Sequence, residues 1–217
     1  TEDYPQYHKQ QQSWDVIDKK GNLIAIFYSD YYPRDGKGAG AWCGRFRPQS
    51  YDGAMRVQPI VTNVCNMTLP AEEGGPALQT VDNVLTMFHE FGHALHSFFR
   101  DVQYEGTGGV ERDFVELPSQ INEHWAFEPE VLRQYARHYR TGEVIPQELV
   151  EKIDASSKYG QGFATVEYLA ASYVDLDLHY LTEMPKKLDV MKFQAEKMRK
   201  RGMPSQILPR YSVTNFS

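Results

Sequence analysis

The stretch MFHEFGHALHSFF, residues 87–99, gathers His89, Glu90, His93 and His96 on a segment that otherwise has the apolar spacing of a core helix. His89 and His93 are four residues apart, so on a helix their rings lie one above the other on one face. Two imidazoles placed in this way can converge on a tetrahedral Zn²⁺ at roughly 2.0–2.1 Å. Glu90 falls about 100° further round the helix, beside the metal position, where a carboxylate can take a proton from a water. This is the HExxH arrangement, with histidines as ligands and glutamate as general base. A lone histidine on such a face would be an ordinary hydrogen-bonded core residue. Four titratable groups packed this densely need something to hold.

A catalytic zinc takes three protein ligands and keeps one position open for water. The downstream candidates for the third ligand are His96, Glu105, Glu111, Asp113, Glu116 and Glu123. His96 extends the same stripe by a turn and would reach back to the metal awkwardly, which suits it to a supporting or packing role. Glu116 is the better choice. It is expected in the first turn of the next helix, in DFVELPSQINEHW, with Gln120 and Glu123 on the same face. Gln120 or Glu123 would then orient an imidazole through its second nitrogen. The bland alternative is that Glu116 and Asp113 only complement the helix dipole.

These side chains need a scaffold, and the chain changes character midway. SWDVID and LIAIFYSDYY, joined by DKKGN, read as strands around a turn, with further strands at AWCGRF (41–46) and QPIVTNVCNMT (58–68). PRDGKGAG (33–40) and LPAEEGGPA (69–77) read as loops. From Thr80, a fitting N-cap with Asp82 in the first turn, the pattern is helical. Val84, Phe88, Phe91, Leu95 and Phe98 mark a stripe expected to be buried. Further helices are expected at roughly 113–138, 146–158, 162–183 and 186–201, the last ended by its cations, Gly202 and Pro204. Strands first and helices afterwards predict an α+β, helix-dominated, zincin-like catalytic core. Residues 1–79 are mainly β-sheet and loops and residues 80–217 mainly helical, all within a single catalytic-core fragment of a longer chain.

Composition excludes several classes. With 41% hydrophobic residues the chain can bury a real core, and its net charge of −6 offers no basic field for nucleic acid. Cys43 and Cys65 are the only cysteines, too few for a disulfide framework, and they read as buried thiols. No apolar run approaches the roughly 20 residues that span a bilayer, so no membrane partner is expected. With no leader pattern and little cysteine, a cytoplasmic location is expected, with the periplasm as the alternative.

FHEFGHALH followed by ERDFVELPSQINEHWAFEPEVL resembles the thimet oligopeptidase family of zinc metallopeptidases, and PSQINEHWA is closest to its bacterial peptidyl-dipeptidase branch. The likeness extends upstream to IFYSDYYPRDGKGAGAW (26–42) and downstream to QGFATVEYLAAS (161–172). Carried over by position, it implies one zinc held by His89, His93 and Glu116, with Glu90 as base. It implies hydrolysis of short peptides by release of C-terminal dipeptides, or internal cleavage as in other members, by an enzyme that is a monomer at full length. A His- and Tyr-containing segment that stabilises the oxyanion in the family would follow residue 217, so this piece alone is expected to be weakly active or inactive. Strand AWCGRF, with Trp42 and Cys43, is the candidate edge for pairing with substrate, and the Gly108–Gly109 loop is a candidate cover over it. A different class remains possible, a non-catalytic, zinc-stabilised helical binding module. The basic helix at 186–201 also admits a role toward acidic partners, though its apolar positions suit a solvated helix over a core.

Overall fold

The computed structural model describes residues 4–213 except 73, 184 and 210. Six strands come first: β1 (Gln12–Ile17), β2 (Leu23–Asp30), β3 (Trp42–Arg47), β4 (Ser50–Asp52), β5 (Met55–Val57) and β6 (Ile60–Val64). Helices follow: α1 (Val81–Phe98), α2 (Leu117–His124), a 3₁₀ turn (Trp125–Phe127), α3 (Pro129–Tyr135), α4 (Gln147–Ser157), α5 (Gln161–His179) and α6 (Val190–Lys200). The class is α+β, with a small mixed sheet. The chain forms two compact units, residues 1–145 and 146–217.

In the first unit the sheet order is β1-β2-β6-β3, with β2 and β6 parallel and the outer pairs antiparallel. β3 is therefore an edge strand of this sheet. α1 lies on β6 and β3. Ala25, Phe27 and Val61 from the sheet meet Ala94 and Phe98 from the helix, with Cys43 and Leu95 packed around them. The Phe27 ring meets Phe98 and Phe91 edge-on at 5.6 and 5.7 Å between centroids, the geometry that aromatic quadrupoles favour. Thr80 caps α1 as expected, its side chain accepting from the Asn83 amide. The expected apolar stripe is only partly buried. Of its five residues Phe98 alone is fully inside, Phe91 is exposed, and the buried positions of α1 are Glu90, Gly92, Ala94, Ser97 and Phe98. Ala94 and Phe98 pack on the sheet, Gly92 faces the start of α2, and Glu90 is taken inside as well.

The expected helix over 113–138 is broken. α2 starts only at Leu117, with Pro118 in its first turn, where a proline costs no hydrogen bond. It ends before Glu128, which is extended at φ −60°, ψ 126° because Pro129 follows and disfavours the helical region. Glu116 consequently sits at the N-cap position of α2, with no side-chain capping bond, rather than in its first turn. The β4–β5 hairpin was not expected, although its Asp52-Gly53 pair, with Gly53 at φ 61°, is a turn signal. Strand β6 is shorter than 58–68.

The end of β2 is held by a buried charge cluster. Arg34 donates to both Asp30 carboxylate oxygens at 2.7 and 2.8 Å, Tyr7 donates at 2.6 Å and Lys37 at 3.1 Å. Lys37 Nζ also donates to the carbonyls of Asp30, Tyr32 and Cys65, fastening the Gly-rich 33–40 loop to the sheet. Burial alone would raise the Asp30 pKa, but Arg34, Tyr7 and Lys37 outweigh it and hold the carboxyl well below the usual range. The native state thus favours the ionised form. That contribution is present above the unfolded value of about 3.9 and is lost as pH falls through the lower folded value. Asp30→Asn strands the buried Lys37 and should cost about 3 kcal/mol at pH 7. Urea unfolding should show this difference narrowing as pH falls below the ordinary carboxylate range.

In the second unit α5 and α6 pack through Ala170, Val174 and Met198, and Arg201 pairs with Asp177. α6 is shorter than the expected 186–201, because Asp189 caps it by accepting from the Lys192 amide. α5 likewise stops at His179 rather than 183. No described helix is long and apolar enough to cross a membrane.

Candidate metal centre

α1 delivers His89, Glu90 and His93, and the start of α2 delivers Glu116. One donor atom from each of His89, His93 and Glu116 lies within 4.8 Å of the other two. A single carboxylate oxygen, Glu116 Oε2, sits 3.2 Å from His89 Nε2 and 3.1 Å from His93 Nε2. The two imidazoles meet edge-on, with centroids 5.0 Å apart. His89 Nδ1 is engaged from behind by Glu123 Oε1 at 2.6 Å, which fixes which nitrogen faces inward. Ser119 supports the third member, its hydroxyl donating to Glu116 Oε2 at 2.9 Å.

The approach of α2 to α1 depends on Gly92, inside the HEFGH motif. A Cβ there would stand 2.7 Å from Ser119 Cα and 2.9 Å from the Pro118 carbonyl oxygen. Asn122 then fastens the pair by donating to the Phe88 carbonyl at 2.7 Å. Gly92→Ala should force the helices apart and draw Glu116 away from the imidazoles. Overpacking of this kind costs about 1–3 kcal/mol. A lowered unfolding midpoint together with weakened zinc affinity in a chelator competition is the expected result.

Glu90 is 6% exposed, and its Oε2 has no hydrogen-bond partner. Burial raises its pKa, the neighbouring His89 opposes the rise, and Glu116 adds to it. Burial is also the main force lowering His93, which favours the neutral imidazole that a metal needs. The Cys43 and Cys65 thiols are pushed up to about 12, first by burial and then by Glu90, and neither belongs to the donor cluster.

The pair of imidazoles, Glu90 and Glu116 line a cavity of about 490 Å³ with Trp42, Cys43, Arg45, His96 and Arg100 among its walls. Trp42 and Cys43, the residues expected at the substrate edge, line this cavity. Gly108 and Gly109 line an adjoining cavity of about 620 Å³ beside Gly92, His96 and Arg100. Of the two carboxamide or carboxylate candidates for orienting an imidazole, Glu123 makes the contact and Gln120 is exposed. Glu105, Glu111 and Asp113 are exposed and outside the cluster. His96 lies in the cavity wall and outside the ligand cluster. Gly92, Ser119 and Asn122 were missed, because their roles arise only when the two helices meet.

The donor set is therefore two neutral-capable nitrogens and one carboxylate at converging positions, with the buried Glu90 carboxylate, one oxygen of which has no partner, beside them, and it fits zinc. Residues 1–217 match the profile of peptidase family M3, and the chain belongs to that family. It is 41% identical to the dipeptidyl carboxypeptidase of Escherichia coli (strain K12), over 99% of this chain and 32% of that protein. The dipeptidyl carboxypeptidase of Salmonella typhimurium is 39% identical over the same shares. Oligopeptidase A of Escherichia coli (strain K12) is 37% identical, over 80% of this chain and 26% of its own length. The chain thus spans about a third, or less, of the relatives it matches.

Proposed function

We propose that this chain carries the catalytic centre of a zinc-dependent, zincin-like peptidase that releases dipeptides from the C-termini of short peptides. The observation that carries the reading is the convergence of His89 Nε2, His93 Nε2 and a Glu116 oxygen, with buried Glu90 next to them. In this reading His89, His93 and Glu116 hold the ion, which supplies Lewis acidity to a water and to the scissile carbonyl. Glu90 accepts the water's proton and returns it to the departing amine. Its burial favours that role by lifting its basicity toward working pH. Glu123 keeps His89 in the ligating tautomer, and Ser119 keeps Glu116 turned inward. β3, at the edge of the sheet and in the cavity wall, offers its backbone to an extended peptide.

The relatives named oligopeptidase A support a second reading, internal cleavage. Mass spectrometry of the products from a synthetic octapeptide, using the full-length zinc-loaded protein, separates the two. Successive loss of C-terminal dipeptides is expected. A first cut in the middle of the peptide would favour the oligopeptidase reading, and no cut at all would count against both.

A further inference from the structure

The same cavity holds two cations that the hydrolytic chemistry does not use. Arg45 projects from edge strand β3, and Arg100 follows the C-terminus of α1. Neither guanidinium pairs with a carboxylate among the described residues. They are close enough that Arg45 disfavours the charge on Arg100, which burial disfavours already; His96, in the same cavity wall, is lowered first by burial and then by both cations. Guanidinium does not deprotonate in proteins, so the repulsion persists until an anion arrives.

Two local devices aim this pair. The β3–β6 register slips between Arg45 and Arg47, a bulge of the sort that redirects a side chain at a sheet edge. Arg100 lies across Gly108, where a Cβ would stand 2.6 Å from its Cδ and 2.7 Å from Nε and Nη1. Glycine at 108 thereby gives the guanidinium its seat, which is a role for that residue other than covering the substrate.

The ligand class follows from charge and reach. A guanidinium recognises a carboxylate through paired N–H donors. From His93 to Arg100 is seven positions, about 10 Å at 1.5 Å per residue. Two extended peptide residues span about 7 Å, and the arginine side chain covers the rest. We propose that Arg45 and Arg100 form a subsite for the free α-carboxylate of the substrate peptide, two residues beyond the cut bond. This rests on the peptidase reading and names what would restrict such an enzyme to dipeptides.

Isothermal titration of the full-length protein with Ala-Phe, with Ala-Phe amide and with N-acetyl-glutamate amide tests the assignment without relying on turnover. The free acid should bind at least ~10-fold more tightly than the amide. Arg45→Gln and Arg100→Gln should each reduce that ratio several-fold. Gly108→Ala keeps both charges but displaces Arg100, so it should lower the ratio while circular dichroism stays native. Equal binding of acid and amide by the unaltered protein, or a ratio that survives both arginine substitutions, overturns the proposal. Binding of N-acetyl-glutamate amide as tight as that of Ala-Phe also overturns it, in favour of a subsite for acidic side chains. An acid-to-amide ratio that behaves as expected in a protein that cleaves no peptide would defeat the peptidase reading alone.

Discussion

Glu90→Gln should abolish peptide hydrolysis while leaving zinc bound. Glutamine has nearly the same shape as glutamate, so the packing of α1 on β3 and β6 is preserved, and the loss isolates the proton-accepting function. General-base catalysis is worth about 10²–10⁴-fold, and kcat should fall by that factor with little change in KM. The carboxylate is unusually placed for a purely structural residue. It is buried with one oxygen unpartnered, an arrangement that costs about 1–3 kcal/mol when no other function compensates. If Glu90 were only structural, glutamine would be tolerated and activity would persist. A non-catalytic zinc scaffold would likewise be indifferent to the change. Steady-state kinetics on a fluorogenic peptide, paired with metal analysis of the same sample, distinguishes these outcomes.

Stripping the metal should have an effect of comparable size. Treatment of the full-length protein with 1,10-phenanthroline is expected to reduce hydrolysis on the order of 10³-fold, since Lewis-acid activation contributes several kcal/mol and each 1.36 kcal/mol is tenfold in rate. Stoichiometric Zn²⁺ should restore it. The same treatment should lower the unfolding midpoint, because an ion bound only by the native arrangement of α1 and α2 stabilises that arrangement by mass action. Activity that survives complete metal removal would be incompatible with the roles given to His89, His93 and Glu116.

Much of the centre is readable from local pattern. HEFGH on a periodic segment opened by Thr80 specifies a helix and a face, and these depend only on residues within a few turns of each other. Glu116 could be reached by chemical need, because a third ligand had to come from somewhere. Its position just ahead of α2 could not, since the helical pattern read over 113–138 gives no sign that the helix starts only at Leu117. The apolar stripe misled for a related reason. Periodicity identifies a face, whereas burial depends on what covers it: Glu90, Ala94 and Ser97 are buried, while Phe91 meets Phe27 of the sheet and still stays exposed.

The least legible features are tertiary. Gly92 looks like an indifferent position inside the motif until Ser119 is found against it. Arg45 and Arg100 lie 55 positions apart in the chain, and neither CGRF nor FFRD hints that the two share a cavity. Gly108 and Gly109 were suspected for their flexibility. What no local pattern shows is the space that Gly108 leaves to Arg100.

Everything proposed for catalysis requires that an ion sit between the two imidazoles and the Glu116 carboxylate. Zinc content by plasma mass spectrometry, after purification without added metal, tests this most directly when the unaltered protein and Glu116→Ala are measured side by side. One zinc per chain in the former and a large loss in the latter is the predicted result. No zinc in the unaltered protein even after incubation with Zn²⁺, or equal zinc in both, would contradict it.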